Sequence, residues 1–325
     1  MSAGLTKEWG AFVNWRRVAI AAVAVGLPLA ALPLVTGEFI LHVLTIGAYY
    51  VILAVSWNLL AGFTGQFSLA QHAFAAVGAY GSGLLIYHLK TPLIVSMPSG
   101  VLVAALAGYL LGRLVLRMRT IYLSIATWAF AETYRIVLTA AYDFTRGDLG
   151  LSVPSLYGHV RPIYYYYTFV AVASACVLIT HVILRSPIGY FMRAVKDDQL
   201  RAQSLGVDTT AVKLFAFTVS SAMAGLAGVL YAHYVLTLTP SIVDFSEMAK
   251  IIIIVVIGGL GHFIGPVLAA PPINFLSTYL QAFGKWSLVL FAAVVIVVMR
   301  SYPAGLAGLI EGQLRRWQRR ERRTR

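Results

Sequence analysis

Six polar side chains sit where the surrounding sequence is suited to lipid. Asn58, Gln66, Ser68 and Gln71 fall within NLLAGFTGQFSLAQHAFAAVGAYG, and Glu132 and Arg135 within TWAFAETYR. Amides and a hydroxyl can bond a polar solute without carrying charge. A Glu and an Arg three residues apart on a helix share a face and can pair there. A zwitterion would benefit from both charges. None of this is the chemistry of bond-making. No nucleophile assembles with a base, and the seven histidines fall at no metal-ligand spacing. The lone Cys176 can form no internal disulfide. The phosphate-binding pattern GxxxxGK[ST] is absent, since Gly284-Lys285 lacks both the glycine spacing and the hydroxyl residue. The expectation is a chain with no catalytic residue, metal or cofactor of its own.

Two readings of the polar residues stay open at this level. Asn58, Gly62 and Gly65 recur at helical spacing on one face. Small residues let a neighbouring helix approach closely, and Asn58 can bond across such a seam. Alternatively, Gly62 to Gln66 breaks the helix, and Gln66, Ser68 and Gln71 face a water-filled path. Glu132 and Arg135 likewise read as a structural pair within the membrane or as a gate and solute contact, because intramembrane charges normally point inward. His72 and His233 read as core histidines.

The elements that must position these groups are transmembrane helices. Of 325 residues, 59% are hydrophobic and only 11% charged, far fewer charges than the roughly one quarter of a soluble domain. Apolar runs of about 20 residues suit helices crossing the bilayer; the shorter alternating segments of a β-barrel are not found. Spans are expected at 18–36, 39–61, 67–89, 93–116, 120–141, 164–184 and 211–236. The tract 249–300 divides into three more at 249–261, 264–283 and 286–300, or one crossing with a re-entrant piece. No small-residue cleavage site follows the run Val18 to Val35, so it reads as a retained helix and not a signal peptide. The total is about ten helices in a single transmembrane domain.

Basic residues sort the sides. Arg16 and Arg17, the Arg113–Arg119 region, the Arg185–Arg201 region and the tail RRWQRRERRTR all become cytoplasmic by the positive-inside rule, placing both termini inside. The net charge of +13 then reads as orientation charge and contact with anionic headgroups, not as a nucleic-acid signal.

Residues 185–210 form the longest expected inside loop and 142–163 the longest outside one. Ser186-Pro187 stops the preceding span. Asp197 or Asp198 can cap a short helix running to about Leu205, Gly206 can end it, and Asp208 can cap the next span. A capped rigid piece between two membrane helices can transmit a push from a cytoplasmic partner.

These motifs carry a resemblance. SPIGYFMRAVKDDQLRAQSLGV followed by KLFAFTVSSAMAGLAG resembles the cytoplasmic coupling loop of LivM-type permease subunits of branched-chain amino acid ABC importers. NLLAGFTGQFSLAQHAFAAVGAY, TWAFAETYR, TRGDLGLSVPSL, GGLGHFIGPVLAA and the terminal PAGLAGL agree in order, from about residue 40 onward. The chain departs from the family at Ala70 and Gln71, at Arg201-Ala202, and at Thr145-Arg146-Gly147, where the family has Thr-Gly-Gly. The resemblance implies a subunit of the bacterial inner membrane that passes branched-chain or related amino acids. Its partners would be a homologous second permease, two ATP-hydrolysing subunits and a periplasmic binding protein. Arg193, Lys196, Asp197, Asp198, Arg201 and Gly206 are then the candidate ATPase-facing residues. Urea, short amides and small aromatic acids are the alternative solutes. An ion-driven transporter fits less well, because apart from Glu132 the spans offer almost no buried carboxylate for an ion relay.

Overall fold

The computed structural model describes residues 37–118, 120–158 and 161–301. The expected span 18–36, Arg16, Arg17, Arg119, the terminal PAGLAGL and the basic tail lie outside the described residues. What is described is almost entirely helical. The long elements are α1 (Glu38–Trp57), α2 (Gln71–Leu89), α3 (Leu93–Val115), α4 (Thr120–Ala140) and α5 (Ile163–Arg185). There follow α6 (Pro187–Asp197), α7 (Gln199–Ser204), α8 (Thr209–Val235), α9 (Phe245–Gly258), α10 (Gly265–Leu280) and α11 (Ser287–Ser301). Among the described residues four segments are by length and apolarity sufficient to cross a membrane: Glu38–Gly62, Leu93–Val115, Ile163–Arg185 and Thr209–Val235. The others are shorter or more polar.

The core is a bundle in which α8 packs on α2 and α3, while α1 packs on α10 and α5. Small residues make the tightest seams. A β-carbon on Gly78 would run into the Gly225 backbone, and one on Gly228 into the Ala75 carbonyl. Without side chains between them the backbones of α2 and α8 approach closely, the packing that membrane helices use when lipid removes the hydrophobic drive for association.

The expected span at 67–89 starts later. After Trp57 the chain makes a π-helical turn, Asn58–Gly62, the helix ends at Thr64, and the chain then runs without helix until Gln71. Side chains satisfy the freed backbone: Trp57 Nε1 donates to the Ser68 carbonyl, Ser124 to the Phe67 carbonyl, and the Leu69 N–H reaches Thr127 Oγ1 at 2.9 Å. Irregular backbone at this depth is tolerated only under such cover. Gly65 takes φ +73° within it.

A second break falls at GGLGHFIGP, between α9 and α10. Gly259 and Gly261 have positive φ there, and Gly258 lies against Gly265. The tract 249–300 holds three helices, α9 starting earlier than expected and each of the first two ending sooner. At the opposite end of α8, a two-residue antiparallel ladder pairs β1 (Leu151–Ser152) with β2 (Thr237–Leu238). The following segment packs into the bundle, with Pro240, Ile242 and Val243 buried. Tyr80 holds it by donating to the Leu238 carbonyl.

Candidate functional site

Asn58 clamps the two helix breaks together. Its side chain is buried; Nδ2 donates to the His262 carbonyl at 2.9 Å and Oδ1 accepts from the Gly261 N–H at 2.9 Å. Gly62 permits this, since a β-carbon there would collide with Asn58 Oδ1 and lie 2.7 Å from the Gly261 nitrogen. Gln66 and Ser68 are buried in the non-helical stretch. The Gln66 N–H bonds the Leu60 carbonyl at 3.1 Å, and Ser68 Oγ accepts from the Ala70 N–H at 3.3 Å. Gln71 is fully enclosed. Its Nε2 lies 2.6 Å from Ser56 Oγ and 3.1 Å from the Ser220 carbonyl, while Ser220 Oγ donates to the Ser56 carbonyl at 2.7 Å. This knot ties α1, α2 and α8. Ser56 and Ser220 escaped the sequence reading because a serine in an apolar run ordinarily bonds its own helix.

Glu132 and Arg135 differ from the other four. They pair at 2.5 Å, with Arg135 Nε also 3.1 Å from Glu132 Oε1, and keep side-chain exposures of 38% and 37%. The inward side of α4 is formed by Leu123, Thr127, Ala131 and Leu138, all buried, while Ile121, Ile125, Trp128 and Ile136 are exposed. Glu132 continues the exposed stripe. A second ion pair, missed in the sequence, joins Glu247 and Lys250 in the first turns of α9 at 3.7 Å. Tyr50 donates to Glu247 and accepts from Lys250 Nζ at 2.8 Å, so the hydroxyl bridges the pair. The i, i+3 spacing of Glu247 and Lys250 was the available signal; Tyr50, about two hundred residues away, was not.

The loop between α5 and α8 is two helices, where the sequence suggested one. Asp198 sits between them and caps α7, accepting from the Leu200 and Arg201 N–H groups at 3.0 and 3.1 Å. The missed element, α6, is amphipathic: Gly189, Met192 and Val195 are buried while Tyr190 and Phe191 are exposed. Proline at its first position suits a helix start, because the missing N–H would have no partner there. Gly189 seats α6 on the end of α5; its β-carbon would lie 2.5 Å from the Ile183 and Leu184 carbonyls. Arg193 Nη2 caps that same end, donating to the Leu184 carbonyl at 2.9 Å.

The six coupling candidates therefore separate. Arg193 and Lys196 reach back to the bundle: a β-carbon on Gly65 would lie 3.4 Å from Lys196 Cγ, and one on Gly261 3.1 Å from Lys196 Nζ. Asp197 and Arg201 are exposed, Arg201 pairing with Asp198 at 3.0 Å. Gly206 is exposed at φ +85°, ending the element with open space around it. Asp208 caps α8 through the Thr210 and Ala211 N–H groups. Lys213 Nζ reaches Gln199 Oε1 at 2.6 Å, fastening α7 to α8. Leu200 and Leu205 project from α7 almost uncovered. The arrangement is a small platform anchored on α5 and α8, with one lysine touching both helix breaks. No group of three or more candidate metal ligands occurs among the described residues.

The family model described as "Branched-chain amino acid transport system / permease component" matches residues 39–299. The high-affinity branched-chain amino acid transport system permease protein LivM of Salmonella typhimurium is 30% identical over 313 residues, covering 88% of this chain and 74% of that protein. LivM of Escherichia coli is 29% identical with the same coverage. LivH of Escherichia coli is 23% identical over 290 residues, covering 81% of this chain and 92% of that one. No solved structure matches the chain.

Proposed function

Because the chain belongs to the branched-chain amino acid transport system permease family, we propose that it is the membrane-spanning subunit of an ATP-driven importer for branched-chain or related amino acids. In this reading it is one transmembrane domain of about ten helices in the inner membrane, with both termini and the α6–α7 platform in the cytoplasm. A second homologous permease completes the conduit. Two separate ATPase subunits drive it, and a periplasmic binding protein delivers the solute.

The observation that carries the reading is the contact of Lys196 with both Gly65 and Gly261. A push on the platform reaches the two breaks in the bundle through this side chain. Asp197, Arg201, Leu200 and Leu205 are the surface offered to the ATPase, and Gly206 closes that surface. Arg193 and Lys196 hold the platform to the bundle, and Asp198 caps its second helix. Of the path residues, Glu132 and Arg135 face the solute; Asn58, Gln66, Ser68 and Gln71 shape the wall behind it and the breaks that move.

The test is reconstitution. The chain is co-expressed with its second permease and ATPases and placed in proteoliposomes with the binding protein. Labelled leucine is expected to accumulate only with ATP and binding protein. Accumulation by this chain alone, abolished by an uncoupler, would replace the importer with an ion-driven carrier; accumulation of urea or amides in preference to leucine would change the solute class.

A further inference from the structure

Among the described residues α1 meets one hairpin at four points. Val43, Gly47, Tyr50 and Asn58 fall within about a quarter of the helix circumference, and each touches α9, α10 or the break between them. The buried Asn274 of α10 donates from Nδ2 to the Val43 carbonyl at 2.9 Å. A β-carbon on Gly47 would lie 3.4 Å from Pro271 Cα. Asn58 holds the break through Gly261 and His262. Tyr50, 3% exposed, holds the first turns of α9. Its hydroxyl donates to Glu247 and accepts from Lys250, whose Nζ also stands 4.7 Å from the centre of the Tyr50 ring.

The attachment at Tyr50 is the costly one. Tyr50 lies twelve residues past Glu38, about 18 Å along α1. At that depth ionised side chains are disfavoured and mark function. Apolar packing already serves the rest of α9, where Ile251, Ile254 and Val255 are fully buried. An ion pair sharing one hydroxyl adds registry instead, fixing the rotation and height of α9 against α1. The hairpin needs this. At 14 and 16 residues, α9 and α10 run about 21 and 24 Å, short of the roughly 30 Å of hydrocarbon. Neither can take its position from both headgroup layers, so α1 supplies it.

The neighbouring helices pack differently. α2, α3 and α8 close on one another through glycines: Gly78 against Gly225, Gly100 against the Gly78 carbonyl, and Gly228 against Ala75. α1 meets this second group through side chains, in the Ser56–Gln71–Ser220 knot and the Tyr49–Tyr231 ring pair at 4.9 Å. Contacts between side chains can slide and re-form, as in shear motions of packed helices.

We propose that Tyr50, Glu247 and Lys250 are positioning residues for transport: with the Asn58 clamp they make α1, α9 and α10 one body, which the platform moves against α2, α3 and α8 through Lys196. This rests on the importer reading above.

The test uses the assembled importer in proteoliposomes. Tyr50→Phe keeps the ring and deletes the hydroxyl. It is expected to assemble and hydrolyse ATP while leucine taken up per ATP falls at least fivefold. A triad that only stabilises the fold would lower complex yield, hydrolysis and uptake together, and an unchanged ratio overturns the proposal. Because loss of either pin frees the hairpin, Tyr50→Phe with Asn58→Ala should cost no more than the worse single change; losses that multiply, as independent sites do, overturn it. A second measurement leaves the triad intact. In a Cys176→Ala background with cysteine-free partner subunits, spin labels at Phe39→Cys on α1 and Phe245→Cys on α9, both exposed positions, report one distance. Labels at Leu102→Cys on α3 and Phe245→Cys report another. Between the nucleotide-free and vanadate-trapped states the first distance is expected to stay fixed while the second shifts. A first distance that shifts as much as the second, or a second that does not shift, overturns the proposal. Wild-type uptake is measured alongside; its absence would sink the importer reading, whereas the distances judge the one-body assignment separately.

Discussion

Lys196 of α6 lies over Gly65 in the break between α1 and α2: a β-carbon at Gly65 would stand 3.4 Å from Lys196 Cγ and 3.6 Å from its Cα. A side chain at 65 would therefore rest against Lys196 in ordinary van der Waals contact. Gly65 also needs its positive φ of 73°, which an L side chain rarely adopts. Replacing Gly65 by Val strains the turn and sets a branched side chain against Lys196. The expected result is a complex that assembles and hydrolyses ATP while uptake per ATP falls at least tenfold. Lys196→Ala, which removes only the contact, should lower the same ratio severalfold. An unchanged ratio in Gly65→Val would remove this contact from the coupling route.

Asn58→Ala tests the clamp between the breaks. It deletes two hydrogen bonds and leaves the Gly261 N–H without its partner. An orphaned buried donor costs about 1–3 kcal/mol, so the purified subunit should melt several degrees lower. Asn58→Asp keeps the acceptor for Gly261 but loses the donor to His262 and introduces a buried charge; it should be no better than alanine. A melting temperature equal to wild type in Asn58→Ala would show that the clamp contributes nothing.

Gly206→Ile probes the end of the platform. Nothing lies within 4 Å of a β-carbon there, so crowding within this chain is not the issue. The cost is the left-handed backbone, roughly 1–2 kcal/mol for a residue with a β-carbon, concentrated on one turn. Insertion and folding should survive while uptake collapses. Normal uptake would sever Gly206 from coupling.

Arg146 gives a prediction of opposite sign. It sits at φ +65° where the resembling family has glycine, with its guanidinium 5.8 Å from the centre of the Tyr87 ring. Arg146→Gly relieves the backbone strain at the loss of one exposed cation–π contact worth about 0.5–1 kcal/mol. Thermal stability should be unchanged or higher. A drop of more than a few degrees would mean that Arg146 holds this loop through more than its contact with Tyr87.

Much of the architecture was legible because lipid imposes length. Runs such as 93–116, 120–141 and 211–236 have to be helical when no water is present to satisfy the backbone, and the described helices start and end within a few residues of those limits. The caps at Asp198 and Asp208 were readable for the same local reason: a short acceptor next to a helix start bonds the first free N–H groups. What failed was α6. Its aromatic and basic residues resemble a solvated loop until Gly189 and Met192 are seated on the end of α5.

The sequence by itself determined that the chain is built of apolar helices suited to a membrane, where most of those helices lie, and that the pattern GxxxxGK[ST] does not occur in it. Each of these depends on properties of consecutive residues. Only the tertiary structure decided that Asn58 belongs to the break at Gly261, that Gln71 is spent on Ser56 and Ser220, and that Glu132 and Arg135 look outward. Those assignments depend on which residues from remote parts of the chain fill each side chain's bonding capacity. Helix periodicity specifies a face but not what that face meets.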